Sequence, residues 1–190
     1  IKAKRAFILD SSGPLGKIVI QGPAKDVIKA VIHGRSAHAG LTPEKGISAI
    51  QVAARAIDRM KLLRIDEETT ANLGTISGGS ATNIVAEQAE IVAEARSLVN
   101  EKLDVQSGHI RECFEQAARE FGATVDVTID RSYAAFQLTK DTPVVQQCLE
   151  AMQRLGVEPK LLSTGGGSDC NVFNARGLTA VDLAIGMTDV

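Results

Sequence analysis

The chain has 190 residues, with 21 lysines and arginines against 23 aspartates and glutamates, so its formal net charge is −2. This balance excludes a polybasic nucleic-acid binder, and aromatic residues at only 3% of the chain argue against single-strand base stacking. A hydrophobic fraction of 44% excludes a long disordered chain and provides for at least one core.

Three cysteines without a CxxC pair predict reduced thiols and a cytoplasmic protein. No apolar stretch reaches the roughly 18 residues that a membrane helix needs, so no membrane partner is expected. The chain opens with Ile1 rather than methionine. We therefore expect either a trimmed protein or a piece of a longer one.

The first elements along the chain are short strands. Residues 6–9 and 17–21 alternate in hydropathy around a turn of Ser, Gly and Pro, which predicts a strand pair. Residues 26–33 alternate again and predict a third strand. From Pro43 to about Leu63, apolar residues recur at spacings of three and four, and this predicts a helix capped by Thr42.

The middle of the chain continues with two strands at 70–77 and 88–97, a second helix capped by Asn100, and a strand at 125–129. The apolar stripe of the second helix has a gap at Gln106 and Ser107. From residue 26 to 131 the order is β-α-β-β-α-β, which is typical of a ferredoxin-like sandwich.

The remainder of the chain alternates helices with buried strands and predicts an α/β sheet. Only two or three of its strands lie here, and the first 22 residues suit the same sheet. We therefore predict an α+β fold in which a ferredoxin-like domain, residues 24–132, is inserted in an incomplete α/β domain. That outer domain would consist of residues 1–23 and 133–190.

Three polar side chains of the middle region are candidates for chemistry. His38 lies among small residues in GRSAHAG, where a neutral imidazole could donate to a developing oxyanion or be a solvated loop residue. Asn83, in GGSATNIV, could address a polar substrate or bond its own backbone. Arg96 could grip a carboxylate, although an ion pair with Glu94 or Glu90 is the simpler interpretation.

Two further stretches lie outside the middle region. Asp10 closes a strand before a glycine-containing loop, a position that suits a metal ligand or the start of a turn. GGGSD at 165–169 could hold an anion on its backbone N–H groups, or be an ordinary strand-to-helix turn. It lacks the lysine of a phosphate loop, so nucleotide binding is disfavoured. Without an HxD or HExxH, no complete metal site is expected.

Taken in order, these stretches resemble the family of co-catalytic zinc metallopeptidases that includes carboxypeptidase G, aminoacylase and peptidase T. The resemblance is strongest to the peptidase T-like branch and covers essentially the whole chain. It depends on the joint order of LDSSGPLG at 9–16, GRSAHAG with TPEKGISAI at 34–50, GGSATNIV at 78–85, EARS at 94–97 and GGGSD at 165–169.

This resemblance implies a catalytic α/β domain that binds two divalent metal ions, zinc in the family, and a ferredoxin-like lid that forms a homodimer. It implies a metal ligand at Asp10 and, at His38, the lid histidine that stabilises the oxyanion in the partner subunit's active site. The implied reaction is hydrolysis of an amide bond in a small peptide or N-acyl amino acid by a metal-activated water. Substrate contacts would fall on Asn83, Arg96, Gly166, Gly167 and Ser168.

Several parts of the family pattern are absent from the chain. The HxD pair, the bridging aspartate, the Glu-Glu with the general base and the last ligand histidine are missing, so we predict that this chain alone is inactive and binds no metal pair. Ala86 replaces a common proline, and Gly165 stands where peptidase T carries an arginine, which argues against strict tripeptide aminopeptidase activity. The alternative is a non-catalytic ferredoxin-like module for dimerisation or small-molecule binding.

Overall fold

The computed structural model describes residues 3–187. The chain divides into two compact units. We call the first the flanking unit; it comprises the chain up to Lys25, Ser97–Asn100 and the chain from Ser132 onward. The second, the middle unit, comprises Asp26–Arg96 and Glu101–Arg131.

The elements of the described residues follow in chain order. They are β1 (Arg5–Ser11), β2 (Lys17–Gly22), β3 (Ala24–His33), α1 (Ala49–Arg59), β4 (Leu63–Arg64), β5 (Thr69–Gly78), β6 (Gln88–Ser97), α2 (Asn100–Phe121), β7 (Thr124–Tyr133), β8 (Phe136–Gln137), α3 (Pro143–Arg154), β9 (Lys160–Ser163), α4 (Asp169–Ala175) and β10 (Thr179–Ala184). A short 3-10 turn, Pro43–Lys45, precedes α1. Among the described residues, no helix combines the length and apolar character needed to cross a membrane.

The flanking unit is a mixed sheet with helices packed on it. Its strand order is β1-β10-β2-β8, and β9 also pairs with β2. β1 runs parallel to β10, whereas β2 runs antiparallel to β10. Consecutive residues of β2 belong to two different cores: Ile18 packs with Val145 of α3, and Val19 packs with Cys170 of α4. The chain segments before and after the middle unit therefore share one sheet, as the sequence predicted.

The middle unit is the predicted ferredoxin-like sandwich. Its sheet has the order β4-β5-β6-β3-β7, so the two strands that begin and end the unit, β3 and β7, lie side by side. β3 alternates between buried and more exposed residues, as a strand with one covered face should. The largest fully buried side chains of the unit include Ile28, Ile91, Leu103 and Phe114.

The predicted helix at Pro43 begins later than expected. Pro43–Lys45 forms only the 3-10 turn, and Gly46 then adopts an extended conformation, with φ −87° and ψ 161°. A Cβ on Gly46 would lie 2.9 Å from the side chain of Val85, so the neighbouring loop leaves no room for a larger residue at this break. Ser48 caps α1 instead of Thr42, because its hydroxyl accepts a hydrogen bond from Gln51 N at 3.3 Å.

The gap in the stripe of α2 does not interrupt the helix. Gln106 and Ser107 are both buried, and each has a polar partner. Gln106 Nε2 donates to the carbonyl of Lys61 at 2.8 Å, and Ser107 Oγ donates to Asp26 Oδ2 at 2.7 Å. Polar residues can therefore occupy the buried face of this helix because each one forms a hydrogen bond there.

Candidate functional site

In the flanking unit, exposed Asp10 lies close to a buried carboxylate. Asp10 N donates to Asp182 Oδ1 of β10 at 3.3 Å, and Asp182 is only 4% exposed. Burial raises the pKa of Asp182 above its ordinary value of 3.8, although hydrogen bonds from the Asp10 backbone and the Ser168 side chain act in the opposite direction. Asp182 therefore connects the strand end that carries Asp10 with the GGGSD segment.

The GGGSD segment is a strand-to-helix turn with a complete cap. Ser168 Oγ accepts from Cys170 N at 3.2 Å, and Asn171 Oδ1 accepts from Ser168 N at 3.0 Å. Ser168 and Asn171 form a capping box at the start of α4, in which the side chain of each accepts from the backbone N–H of the other. The other end of the Asn171 amide donates to the carbonyls of Pro23 and Ala134, both at 2.8 Å. Buried Asn171 thus ties the turn to the two chain segments that adjoin the middle unit.

Gly167 lies against an aromatic ring. A Cβ at this position would come within 2.2 Å of Cζ and Oη of Tyr133, which is closer than real Cβ contacts. Gly165, two residues earlier, has no heavy atom within 4 Å of the same test position. Tyr133 therefore leaves no room for a side chain at residue 167, whereas there is room for one at residue 165.

We expect Gly167→Ala to lower the free energy of unfolding by about 1–3 kcal/mol, because the ring or the turn must move to admit a methyl group. Urea unfolding measures the loss. Gly165→Ala is the matched control and should leave stability nearly unchanged. If the Tyr133 ring is the cause, Gly167→Ala should cost much less in a Tyr133→Ala background. An equal cost in both backgrounds would contradict this account.

The cysteines give the site no nucleophile. Cys113, Cys148 and Cys170 are free and buried. Burial raises the pKa of Cys170 to about 12, so its thiol stays protonated at neutral pH. Cys170 therefore serves the core beneath the turn rather than chemistry.

The residues of the structure do not by themselves fit a metal site. In the range 3–187, no group of three or more His, Cys, Asp or Glu side chains is arranged to hold a metal ion. Asp10 offers one carboxylate, whereas structural and catalytic zinc sites use three or four protein ligands.

In the middle unit, two loops bring His38 and Asn83 together. Ala39 N donates to the carbonyl of Asn83 at 2.9 Å, and Val85 N donates to the carbonyl of Ala37 at 2.9 Å. These bonds flank a bridge between His38 and Ile84. The imidazole of His38 is exposed, and its Nδ1 accepts from Gly40 N at 3.2 Å. His38 and Asn83, the two loop residues predicted to contact a substrate, are therefore neighbours.

Arg96 lies elsewhere in the middle unit. It is on β6 near the end opposite the Asn83 loop, and its Nε contacts Glu94 Oε1 at 2.9 Å. The simpler interpretation of Arg96, an ion pair with Glu94, is thus present, whereas Glu90 accepts from Gln88 instead. Within this chain the structure does not bring Arg96 to His38, and a role of Arg96 in substrate binding stays a prediction.

An open groove of about 730 Å³ lies beside the Asn83 loop. It has the volume of a small-ligand site. Its lining mixes apolar Ile50 and Ile84 with polar Ser48 and Thr82.

Three residues that contribute to these sites were not predicted from the sequence: Asp182, Gly40 and Asn171. For Asp182 a signal existed, since it is the one charged residue within the apolar strand TAVDLA. Gly40 carried no signal because its bond to the His38 ring depends on the conformation of the turn. Asn171 carried none because its partners, the carbonyls of Pro23 and Ala134, lie far away in the sequence.

Comparison with known proteins identifies the family. The family described as the peptidase dimerisation domain of M20 matches residues 26–122. The crystal structure of the aminopeptidase PepT from Bacillus cereus is 45% identical with a TM-score of 0.93, and the match covers 100% of this chain and 51% of that one. For a tripeptidase structure from Staphylococcus aureus the identity is 40% and the TM-score 0.95, with the same coverage.

A curated relative matches this chain over the same length as these two structures. The Bacillus subtilis protein YqjE, described as uncharacterised, is 43% identical over 190 residues, which is 100% of this chain and 51% of that protein. The chain thus spans about half the length of the relatives it matches. It belongs to the M20 peptidase family, with the dimerisation domain at residues 26–122, and to the peptidase T-like branch of that family.

Proposed function

We propose that this chain is part of a metallopeptidase that hydrolyses an amide bond in a small peptide or N-acyl amino acid. The observation that carries the proposal is the 45% identity, over 100% of this chain, to a structure described as an aminopeptidase. Two divalent metal ions, zinc by family resemblance, would activate the water in the longer protein. Of the ligands, this chain would supply Asp10, so by itself it should be inactive. The three free, buried cysteines support a reducing compartment, which we propose is the cytoplasm.

In this proposal residues 24–132 are a lid inserted in a catalytic domain formed partly by residues 1–23 and 133–190. His38 would donate from a neutral imidazole to the oxyanion of the tetrahedral intermediate. The bonded loops support a joint role for His38 and Asn83. The remaining proposed substrate contacts are Arg96, Gly166, Gly167 and Ser168.

Activity of the longer gene product tests the proposal. The gene should be sequenced on both sides of this segment, and the product assayed on tripeptides and N-acyl amino acids before and after chelation. We expect hydrolysis that chelation abolishes and added Zn²⁺ restores. Hydrolysis of neither substrate class would instead support a non-catalytic dimerisation or small-molecule-binding module. Hydrolysis that persists after complete metal removal would exclude the two-metal mechanism.

We further propose that the middle unit forms a homodimer through the outer edge of β5. β4 pairs only with Thr70 and Ala71, which leaves residues 72–78 beyond its reach. That stretch, NLGTISG, carries no charge, and Ile76 is 52% exposed. The opposite edge strand, β7, carries Asp126 and Asp130. Charges on an edge strand oppose pairing with another sheet, so β5 is the edge suited to a second copy.

Ile76→Lys should convert the dimer of this chain to a monomer of 20.1 kDa, because it places a charge on the pairing edge. Light scattering coupled to size exclusion measures the mass. Val105→Lys is the matched control, since Val105 is 74% exposed on α2 and lies off the sheet edge. A dimer that survives Ile76→Lys, or one that Val105→Lys also dissociates, would argue against the β5 edge.

A further inference from the structure

We infer that the backbone N–H of Gly40 fixes the tautomer of His38, so that the neutral ring carries its proton on Nε2. Gly40 is then a positioning residue for the histidine that the proposed function makes an oxyanion donor. The tautomer itself follows from hydrogen bonding within the middle unit. Only its catalytic meaning rests on the proposed function.

The first step of the argument is the donor inventory of the turn. Leu41 N and Thr42 N both donate to the carbonyl of His38, at 3.2 and 3.1 Å, and so close the turn. Ala39 N donates across to the Asn83 carbonyl. The remaining N–H of the turn, that of Gly40, donates to His38 Nδ1 at 3.2 Å. Each N–H from residue 39 to 42 therefore has one assigned acceptor, and the acceptor of Gly40 is the ring.

The second step is the chemistry of imidazole. A neutral histidine ring has one protonated nitrogen and one nitrogen with a free lone pair. Since Nδ1 accepts from Gly40, Nδ1 holds the lone pair and Nε2 holds the proton. The alternative tautomer would place two hydrogens between Gly40 N and Nδ1, and would leave Nε2 with a lone pair. A lone pair repels a developing oxyanion, whereas an N–H stabilises it.

The other two histidines of the middle unit provide an internal contrast. His109 Nε2 accepts from Lys61 N at 3.1 Å, which by the same reasoning puts the proton of a neutral His109 on Nδ1. His33 Nε2 lies 2.9 Å from Asp126 Oδ2, where it donates. The structure therefore predicts opposite tautomers for His38 and His109 in one chain.

The experiment is nitrogen NMR of the 190-residue chain labelled with ¹⁵N, at a pH where the ring shifts no longer change. Long-range ¹H–¹⁵N correlations distinguish protonated from unprotonated ring nitrogens, and His38→Gln and His109→Gln assign the signals. We expect protonated Nε2 in His38, protonated Nδ1 in His109, and a scalar coupling between Gly40 N and His38 Nδ1 across the hydrogen bond.

A control separates the N–H from the small size of glycine. A Cβ on Gly40 would lie 3.7 Å from Cε1 of His38, an ordinary contact, so Gly40→Ala keeps the donor and should keep both the coupling and the tautomer. A protonated Nδ1 in His38, or a mixture of its tautomers without the coupling, would overturn the inference. If the tautomer is as inferred but His38 proves dispensable for turnover, the proposed oxyanion role of His38 fails and the tautomer assignment stands.

Discussion

Replacing His38 with alanine should lower the turnover of the longer enzyme by about 10²–10³-fold, the usual cost of losing one oxyanion donor. The fold should persist, because the loop is held by backbone bonds that alanine retains, from Ala39 N to Asn83 O and from Val85 N to Ala37 O. Steady-state kinetics gives the turnover, and urea unfolding checks stability in the same preparation.

The matched control for this prediction is His33→Ala. His33 is also exposed, with 45% of its side chain accessible, and it pairs with Asp126 on the sheet surface. A surface pair of this kind contributes about 1 kcal/mol or less, so neither turnover nor stability should change much. Unchanged turnover in His38→Ala would refute the oxyanion role, and so would equal losses in the two variants.

Hybrid dimers show whether His38 acts across the subunit interface. We propose to co-express His38→Ala subunits with Asp10→Ala subunits of the longer protein, each of which should have little activity by itself. If His38 serves the partner subunit's active site, a mixed dimer contains one site with both side chains intact. Activity should then return to roughly half the wild-type level per mixed dimer. Purified mixed dimers no more active than the His38→Ala enzyme would indicate that both residues act within one subunit.

The architecture of the middle unit was predictable because its periodicities are strong and local. Alternation in β3 and β6, and helical spacing in α2, each reflect one buried face. The start of α1 was predicted wrongly because Thr42 and Pro43 together are a good helix start in sequence, whereas in the structure extended Gly46 ends that first turn and Ser48 caps the helix. Gly46 and Ser48 were nevertheless local signals for the later start, since glycine disfavours a helix interior and serine is a favoured N-cap.

The site was predictable only in part, because some of its contacts join segments that are far apart in the sequence. The neighbourhood of Asp10 and Asp182 joins residues 172 positions apart, and it follows from the pairing of β1 with β10. Local sequence gives no register between strands so distant. The plainer interpretation of Arg96, by contrast, was correct because Glu94 lies two residues away on the same face of one strand.

Arg131→Ala should destabilise the middle unit by about 3 kcal/mol, because it removes the cation from a buried carboxylate. The side chain of Asp26 is 3% exposed, and Arg131 Nε contacts its Oδ1 at 2.5 Å. This hydrogen bond is also the main reason that the pKa of Arg131 is raised. After the substitution Asp26 would keep only the Ser107 hydroxyl among these donors. Urea unfolding of the 190-residue chain measures the loss.

Two variants test whether the buried charge is the cause. Asp104, the other carboxylate that contacts Arg131, is 66% exposed, so Asp104→Asn should change stability by about 1 kcal/mol or less. In an Asp26→Asn background, Arg131→Ala should cost much less than in the native chain, because no buried charge is then left without its cation. Asp26 is the first residue of the middle unit and Arg131 the last. Since the pair joins the two ends of that unit, equal costs for Arg131→Ala in both backgrounds would mean that packing of the arginine stem, rather than charge, holds them together.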